Sequence, residues 1–264
     1  MNSVVAKWFH KLSFPEEWRQ DVVDGAEETL SGGAEPDNPK DFLIKSLYDC
    51  EALATFYAEK GINEEILLHT LSDLLIWAKN HYLMTGKIGI GEQDWIRCHL
   101  EGRLFRLGRL QFCKGVSECE SERHGMKKGE RIIEIHIPQG EPLTVESCMD
   151  SIACAVSFFD AYFPEYRYEW FTCHSWLLDK ELIKFLKPDS NILKFQNMFD
   201  MIAYDESDQA LKYLFDINPE KTTQNDLQKR VIEHKESGGK LYEGYGVISK
   251  SAYAKDQQLK ENNI

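Results

Sequence analysis

RIIEIHIPQGEPLTVESCMDSIACAVSFFDAYF, residues 131–163, changes its apolar period once, and the change decides the fold. Over 131–137, Ile133, Ile135 and Ile137 alternate with Glu134 and His136, which gives a strand one apolar and one polar face. From Val145 onward Met149, Ile152, Val156, Phe159 and Phe163 recur at spacings of four and three, the period of an amphipathic helix closed by Pro164. Between them Pro138 to Thr144 forms a turn containing Gly140, and Thr144 stands where a helix needs its N-cap. A strand running through such a turn into a helix presents free backbone N–H groups at the helix start, which attract anions such as a diphosphate.

Downstream, Tyr166 to Leu178 is aromatic and β-prone, and Asp179 caps a short helix reaching Pro188. A strand over 199–204, helices over 208–215 and 225–235, and a closing strand over 240–249 after Gly238-Gly239 complete the pattern. Upstream, Arg103 to Phe112 alternates basic and apolar residues about Gly108, a strand with a bend or bulge.

Before Gly102 the period is helical. Asp41 caps a helix with Leu43, Leu47, Cys50, Ala54 and Tyr57 on one side, and Gly61 stops it. Asn63, Glu64 and Glu65 open the next, striped by Leu67, Leu71, Leu74 and Ala78, and the two are expected to form an antiparallel hairpin. Pro15-Glu16-Glu17 makes a good first turn for 15–30, and Ser31 to Pro39 reads as a loop. The expected fold class is α+β: a helical N-terminal domain over 1–100, a mixed-sheet domain with flanking helices over 101–250, and a polar tail over 251–264.

A chain of 264 residues with 42% hydrophobic and 12% aromatic content can pack two cores, which excludes wholesale disorder. The formal charge of -13 repels phosphate backbones and anionic lipid, so nucleic acid is a poor partner. The start MNSVVAKWFHKLSF is broken by Lys7, His10 and Lys11 and holds no signal-peptide core, and no apolar run approaches the roughly 20 residues of a membrane span. A cytoplasmic protein with no membrane partner is expected, its seven cysteines reduced.

Three segments, EIHIPQGEPLT (134–144), FTCHSWLLDKEL (171–182) and PDSNILKFQNMF (188–199), resemble the GNAT-like C-terminal domain of bacterial acyltransferases that carry a separate helical N-terminal domain. The resemblance covers most of the chain and implies an acyl donor, acyl-CoA or acetyl-CoA, bound between two splayed strands. It implies that Ile135 and Ile137 face the pantetheine arm, while Gln139, Gly140, Leu143 and Thr144 form the turn that holds the diphosphate. The turn departs from the family pattern of Gln or Arg, two residues, Gly, one residue, then Gly or Ala. This chain has only Gln139 and an early Gly140, Glu141 adds a negative charge, and Pro142 removes an N–H donor. The implied activity is N-acyl transfer to a small-molecule or peptide amine, with the helical domain covering the acceptor end. The alternative is a non-catalytic binding or regulatory module that keeps the fold.

Amine acylation needs a base for the ammonium proton and a donor for the leaving thiolate. His174, inside the resembling motif, is the first candidate base. Glu134 and His136 share the polar strand face and could act directly or through water, and Tyr204 is a candidate acid. The competing readings are a structural histidine, solvated outer-face residues and a packing tyrosine. No metal site is expected, since Cys113, Cys119 and His124 match no usual zinc spacing. Cys173 and His174 are adjacent on a strand and point to opposite faces, so they form no nucleophilic pair, and Cys148 and Cys154 are expected as core thiols. The stripe Arg103, Arg106 and Arg109 could attract a phosphate or simply protect a strand edge.

Overall fold

The computed structural model describes residues 2–32, 38–216, 226–251 and 253. Most of the Ser31 to Pro39 loop and nearly all of the polar tail therefore lie outside the described residues. The chain forms two compact units, one up to Arg106 and the other from Leu107.

The first unit is helical: α1 (Ser3–Lys11), α2 (Ala26–Ser31), α3 (Pro39–Lys60), α4 (Glu64–Thr85) and α5 (Gln93–Leu100), with short turns at Glu16–Trp18 and Gln20–Asp24. The cap of α3 is Asn38, whose side chain accepts from the Asp41 N–H; Asp41, expected in that role, lies in the first turn behind Pro39 at the helix start. Gly61 ends α3 in the left-handed conformation (φ 70°), and Asn63 caps α4 through the Glu65 N–H. So short a connection turns α4 back against α3, and Leu67, Leu71, Leu74 and Ala78 are buried. Sequence patterning did not reveal a buried polar knot here. His99 Nε2 lies 3.1 Å from Asp73 Oδ2, its Nδ1 is 3.0 Å from the Trp95 carbonyl, and Trp95 Nε1 donates to the same Asp73 oxygen at 3.3 Å.

The second architecture is a six-stranded mixed sheet. β1 (Leu104–Leu107), β2 (Leu110–Val116), β3 (Arg131–His136), β4 (Trp170–Ser175), β5 (Asp200–Glu206) and β6 (Tyr242–Ser249) lie in the order β1-β2-β3-β4-β6-β5. β3 and β4 are parallel, and the crossover between them is α6 (Val145–Tyr162). α7 (Asn191–Gln196), α8 (Gln209–Leu211) and α9 (Asp226–Glu236) complete the set.

Further sequence expectations change. Arg103 to Phe112 is two strands joined at Gly108 (φ 72°), because that residue turns the chain instead of bending one strand. Of Tyr166 to Leu178 only Trp170–Ser175 is strand, and Trp176–Leu178 is a single tight turn. The buried stripe of α6 is Cys148, Ser151, Ile152, Ala155, Phe158 and Phe159, rotated from the expected one, so that Val145 is exposed. Ser151 on this stripe is buried, and its hydroxyl accepts the Arg109 and Leu110 N–H groups at the start of β2. Cys154 is thereby exposed, not a core thiol, while Cys148 is buried.

Two glycines on β6 set a close approach. A Cβ on Gly244 would come within 2.4 Å of the Leu178 carbonyl, and one on Gly246 within 2.7 Å of Phe199 Cβ. The run after β4 therefore packs directly on one face of β6. Asp179 secures it there, accepting from the Glu181 and Tyr242 N–H groups, and burial pushes its carboxyl above the usual range against those hydrogen bonds.

Candidate active site

The parallel pair at the centre of the sheet is short. β3 and β4 are in register at Ile132↔Trp170, Ile133↔Phe171 and Glu134↔Thr172, and the ladder ends there. Beyond it Ile135 and His136 remain paired to Phe112 and Gln111 of β2, while Cys173, His174 and Ser175 remain paired to Gly246, Tyr245 and Gly244 of β6. The strands part, and main-chain groups along the facing edges of their C-terminal halves are released from the sheet ladder.

Register also assigns the faces, because paired residues in neighbouring strands point the same way. Gln111, Cys113, Glu134, His136, Thr172, His174, Glu243, Tyr245 and Asp205 share one face. At the closed end this face is apolar, with Ile132, Trp170, Tyr245 and Val247 packed under Met126. At the open end it is polar, with Glu134 and His136 on one side of the gap and His174 on the other. The opposite face, carrying Ile133, Ile135, Phe171 and Cys173, is buried.

His174 is about half exposed, and its Nε2 lies 3.4 Å from Glu243 Oε2 and 3.6 Å from Asp205 Oδ2. The Tyr245 ring flanks it at 5.7 Å between centroids. Neither Glu243 nor Asp205 was singled out from the sequence, where both are distant from His174; only strand pairing brings them together. Glu134 Oε2 and His136 Nε2 are 3.5 Å apart, both half-buried. Tyr204 does not join this group: it is paired with Gly244, whose β4 partner is Ser175, and so occupies the opposite sheet face from His174. Burial and the Asp179 charge push the Tyr204 phenol up. Cys173 is fully buried and faces away from His174, and burial drives its thiol up, far from nucleophilic poise.

The turn expected to hold a diphosphate has a defined shape. Gln139 and Gly140 are exposed, and Gly140 sits at φ 147°, a region L-residues rarely enter. Ile137 lies just past the end of β3. Leu143 is buried, so any ligand contact at that position falls to its main chain. The Thr144 hydroxyl accepts from the Ser147 N–H at 3.2 Å as the α6 cap, and the Thr144 N–H donates to the Pro142 carbonyl at 3.0 Å. Both groups serve the turn itself, which leaves Val145 and Glu146 as the amides at the open end of the helix. Arg109 reaches this turn from the residue before β2. Its Nε donates to the Glu141 carbonyl at 2.7 Å and its Nη1 to the Pro138 carbonyl at 2.9 Å, which braces the turn and sets a cation beside Glu141.

Among the described residues one group of donors could hold a metal ion: Cys113, Glu134 and His136 bring a ligand atom each to within 4.8 Å of one another. Cys113 was weighed from sequence with Cys119 and His124, but the His124 ring instead meets the Ser121 hydroxyl at 2.8 Å. No helix among the described residues is long and apolar enough to cross a membrane.

A mixed sheet whose central parallel strands part above a turn and helix start is the framework of the acyltransferase class that the sequence resembled. The family description "GNAT-like C-terminal domain" matches residues 104–248, more than half the chain, and "N-acyltransferase N-terminal domain" matches residues 15–102. The chain belongs to the family of GNAT-like C-terminal domain proteins. Among solved structures it is similar to an acyltransferase mutant in complex with octanoyl-CoA, at 23% identity, covering 94% of this chain and 88% of that one with a TM-score of 0.79. It is also similar to an acyltransferase in complex with decanoyl-CoA and teicoplanin (24% identity, 94% and 88% covered, TM-score 0.77). A third, an acyltransferase in complex with decanoyl-CoA, is 25% identical over 92% of this chain and 86% of that one, with a TM-score of 0.76. At these identities the likeness is one of fold. No curated protein sequence matches the chain.

Proposed function

We propose that this chain transfers an acyl group from an acyl-CoA thioester to an amine of a small molecule or peptide. The observation that carries the reading is the end of the β3–β4 ladder at Glu134↔Thr172, which frees the strand edge at Ile135 beside the polar face bearing His174. An extended pantetheine arm with amides of its own can continue that ladder, as an added strand would. The similar structures hold octanoyl-CoA or decanoyl-CoA within the same fold, which supports the choice of donor.

In this reading Ile135 and Ile137 present main chain to the pantetheine arm. Gln139, Gly140 and the α6 amides receive the diphosphate with Arg109 close by, and Leu143 and Thr144 complete the turn that holds it. The amine nitrogen attacks the thioester carbonyl carbon, a C–N bond forms, the C–S bond breaks, and the electron pair leaves on coenzyme A sulfur. His174 takes the amine proton, and Glu134 and His136, on the same face across the gap, are the remaining candidates to relay a proton through water. Tyr204 takes no part in this assignment.

Calorimetric titration with acetyl-CoA, octanoyl-CoA and decanoyl-CoA, on wild type and Gly140→Asp, tests the donor. Binding by the wild type and loss of at least about tenfold in the variant is expected, since the substitution adds both strain at φ 147° and a negative charge. No heat with any thioester at millimolar concentration overturns the reading and leaves the non-catalytic module.

A further inference from the structure

We infer that Glu243 is a positioning residue for His174: it fixes the imidazole through Nε2 and stabilises the imidazolium that forms when Nδ1 takes the substrate proton. The inference rests on the reading of His174 as base. It begins from an arrangement the sheet should avoid. Asp205 of β5 and Glu243 of β6 are direct cross-strand partners on one face, and like charges so placed repel. The imidazole of His174 is the group that meets both, at 3.6 and 3.4 Å from the same nitrogen. His174 thus stands between two carboxylates that face one another across the strand pair.

The two acids are not equivalent. The Glu243 side chain is 14% exposed, whereas that of Asp205 is 71% exposed. Solvent screens the second pair far more strongly than the first. Tyr245 holds the ring from the side, Thr172 lies on the same face of β4, and Glu134 and His136 face it from β3, none of them nearer than Glu243 among the contacts observed. With Nε2 turned to carboxylates, Nδ1 is the nitrogen left to accept a proton.

The test uses full-length wild type, Glu243→Gln, Glu243→Asp, Asp205→Asn and His174→Gln. The His174 titration midpoint is followed by NMR, and kcat and KM are measured against pH with an acyl-CoA and an amine acceptor that the wild type turns over. In Glu243→Gln the midpoint is expected to fall by about one pH unit. With it kcat falls about tenfold, the acidic limb of kcat/KM moves to lower pH, and the acyl-CoA KM is unchanged within about twofold. Glu243→Asp restores part of the loss, and Asp205→Asn shows less than half the shift. A Glu243→Gln midpoint and kcat equal to wild type, with His174→Gln inactive, overturns the inference and leaves His174 as base. Full turnover by His174→Gln that still binds acyl-CoA overturns both.

Discussion

The two ends of the β3–β4 pair share strands and a sheet face yet are built for opposite purposes. At the N-terminal end Ile132 and Trp170 are in register, the ladder is intact, and Met126, Val247 and Tyr245 seal the face with apolar side chains. At the C-terminal end the strands have parted, and the same face carries two carboxylates and a histidine on β4–β6–β5 and a Glu–His pair on β3. The closed end contributes the burial that holds the strands together, so the open end can leave backbone groups unpaired in the sheet. Apolar packing and clustered polar groups are thus separated along one strand pair by a few residues.

The comparison can be broken hardest from the closed end. Trp170→Ala is expected to cost about 3–5 kcal/mol of stability, read as a lower denaturation midpoint, and to remove acyl-CoA binding only where the fold is lost. A variant that stays fully stable would show that the sheet does not rely on this end. A smaller effect is expected at the turn, where Arg109→Ala removes two hydrogen bonds to the Pro138 and Glu141 carbonyls and a positive charge. Coenzyme A affinity is expected to fall about tenfold with the protein still folded, measured by calorimetry. Unchanged affinity would place the diphosphate elsewhere.

The smallest effect sharpens the boundary between the ends. The Tyr166 hydroxyl lies 2.6 Å from the Gly115 carbonyl and 3.0 Å from that of Ile132, spanning β2 and β3, and burial pushes its phenol up to about 12. A folded-state pKa raised above the unfolded one gives stability that is complete below the unfolded value and lost as pH climbs through the folded one. Tyr166→Phe is therefore expected to cost about 1 kcal/mol near neutral pH and to flatten the stability loss between about pH 10 and 12. Thermal denaturation across that range checks it; a wild-type slope retained in the variant would assign the alkaline loss to other tyrosines.

Local chemistry was legible wherever one short segment contained its own answer. The alternation in 131–137, the Thr144 cap, the Asn63 cap and the Gly61 stop all depend on residues within a turn or two of each other, so they appear in the sequence as they do in the structure. The cap of α3 was misassigned by three residues because Asn38 and Asp41 both suit a helix start, and only the backbone decides between them. Gly108 carried a bend in either reading; its left-handed backbone, which joins two strands in place of bending one, shows only in the structure.

The candidate site divides in the same way. His174, Glu134 and His136 could be named because each lies in a distinctive strand motif, and the shared face of Glu134 and His136 is a consequence of a period of two. The face that Tyr204 occupies depends on its pairing with Gly244 of β6, which no local pattern encodes. Glu243, Asp205 and the bracing role of Arg109 were invisible for that reason too. By itself the sequence determined which segments are strands or helices and which residue types are available for acyl transfer, since those follow from side-chain period and local hydrogen bonding. Only the tertiary structure decided where the β3–β4 ladder stops and which carboxylate meets His174, because strand register joins residues far apart in sequence and nothing within either segment specifies it.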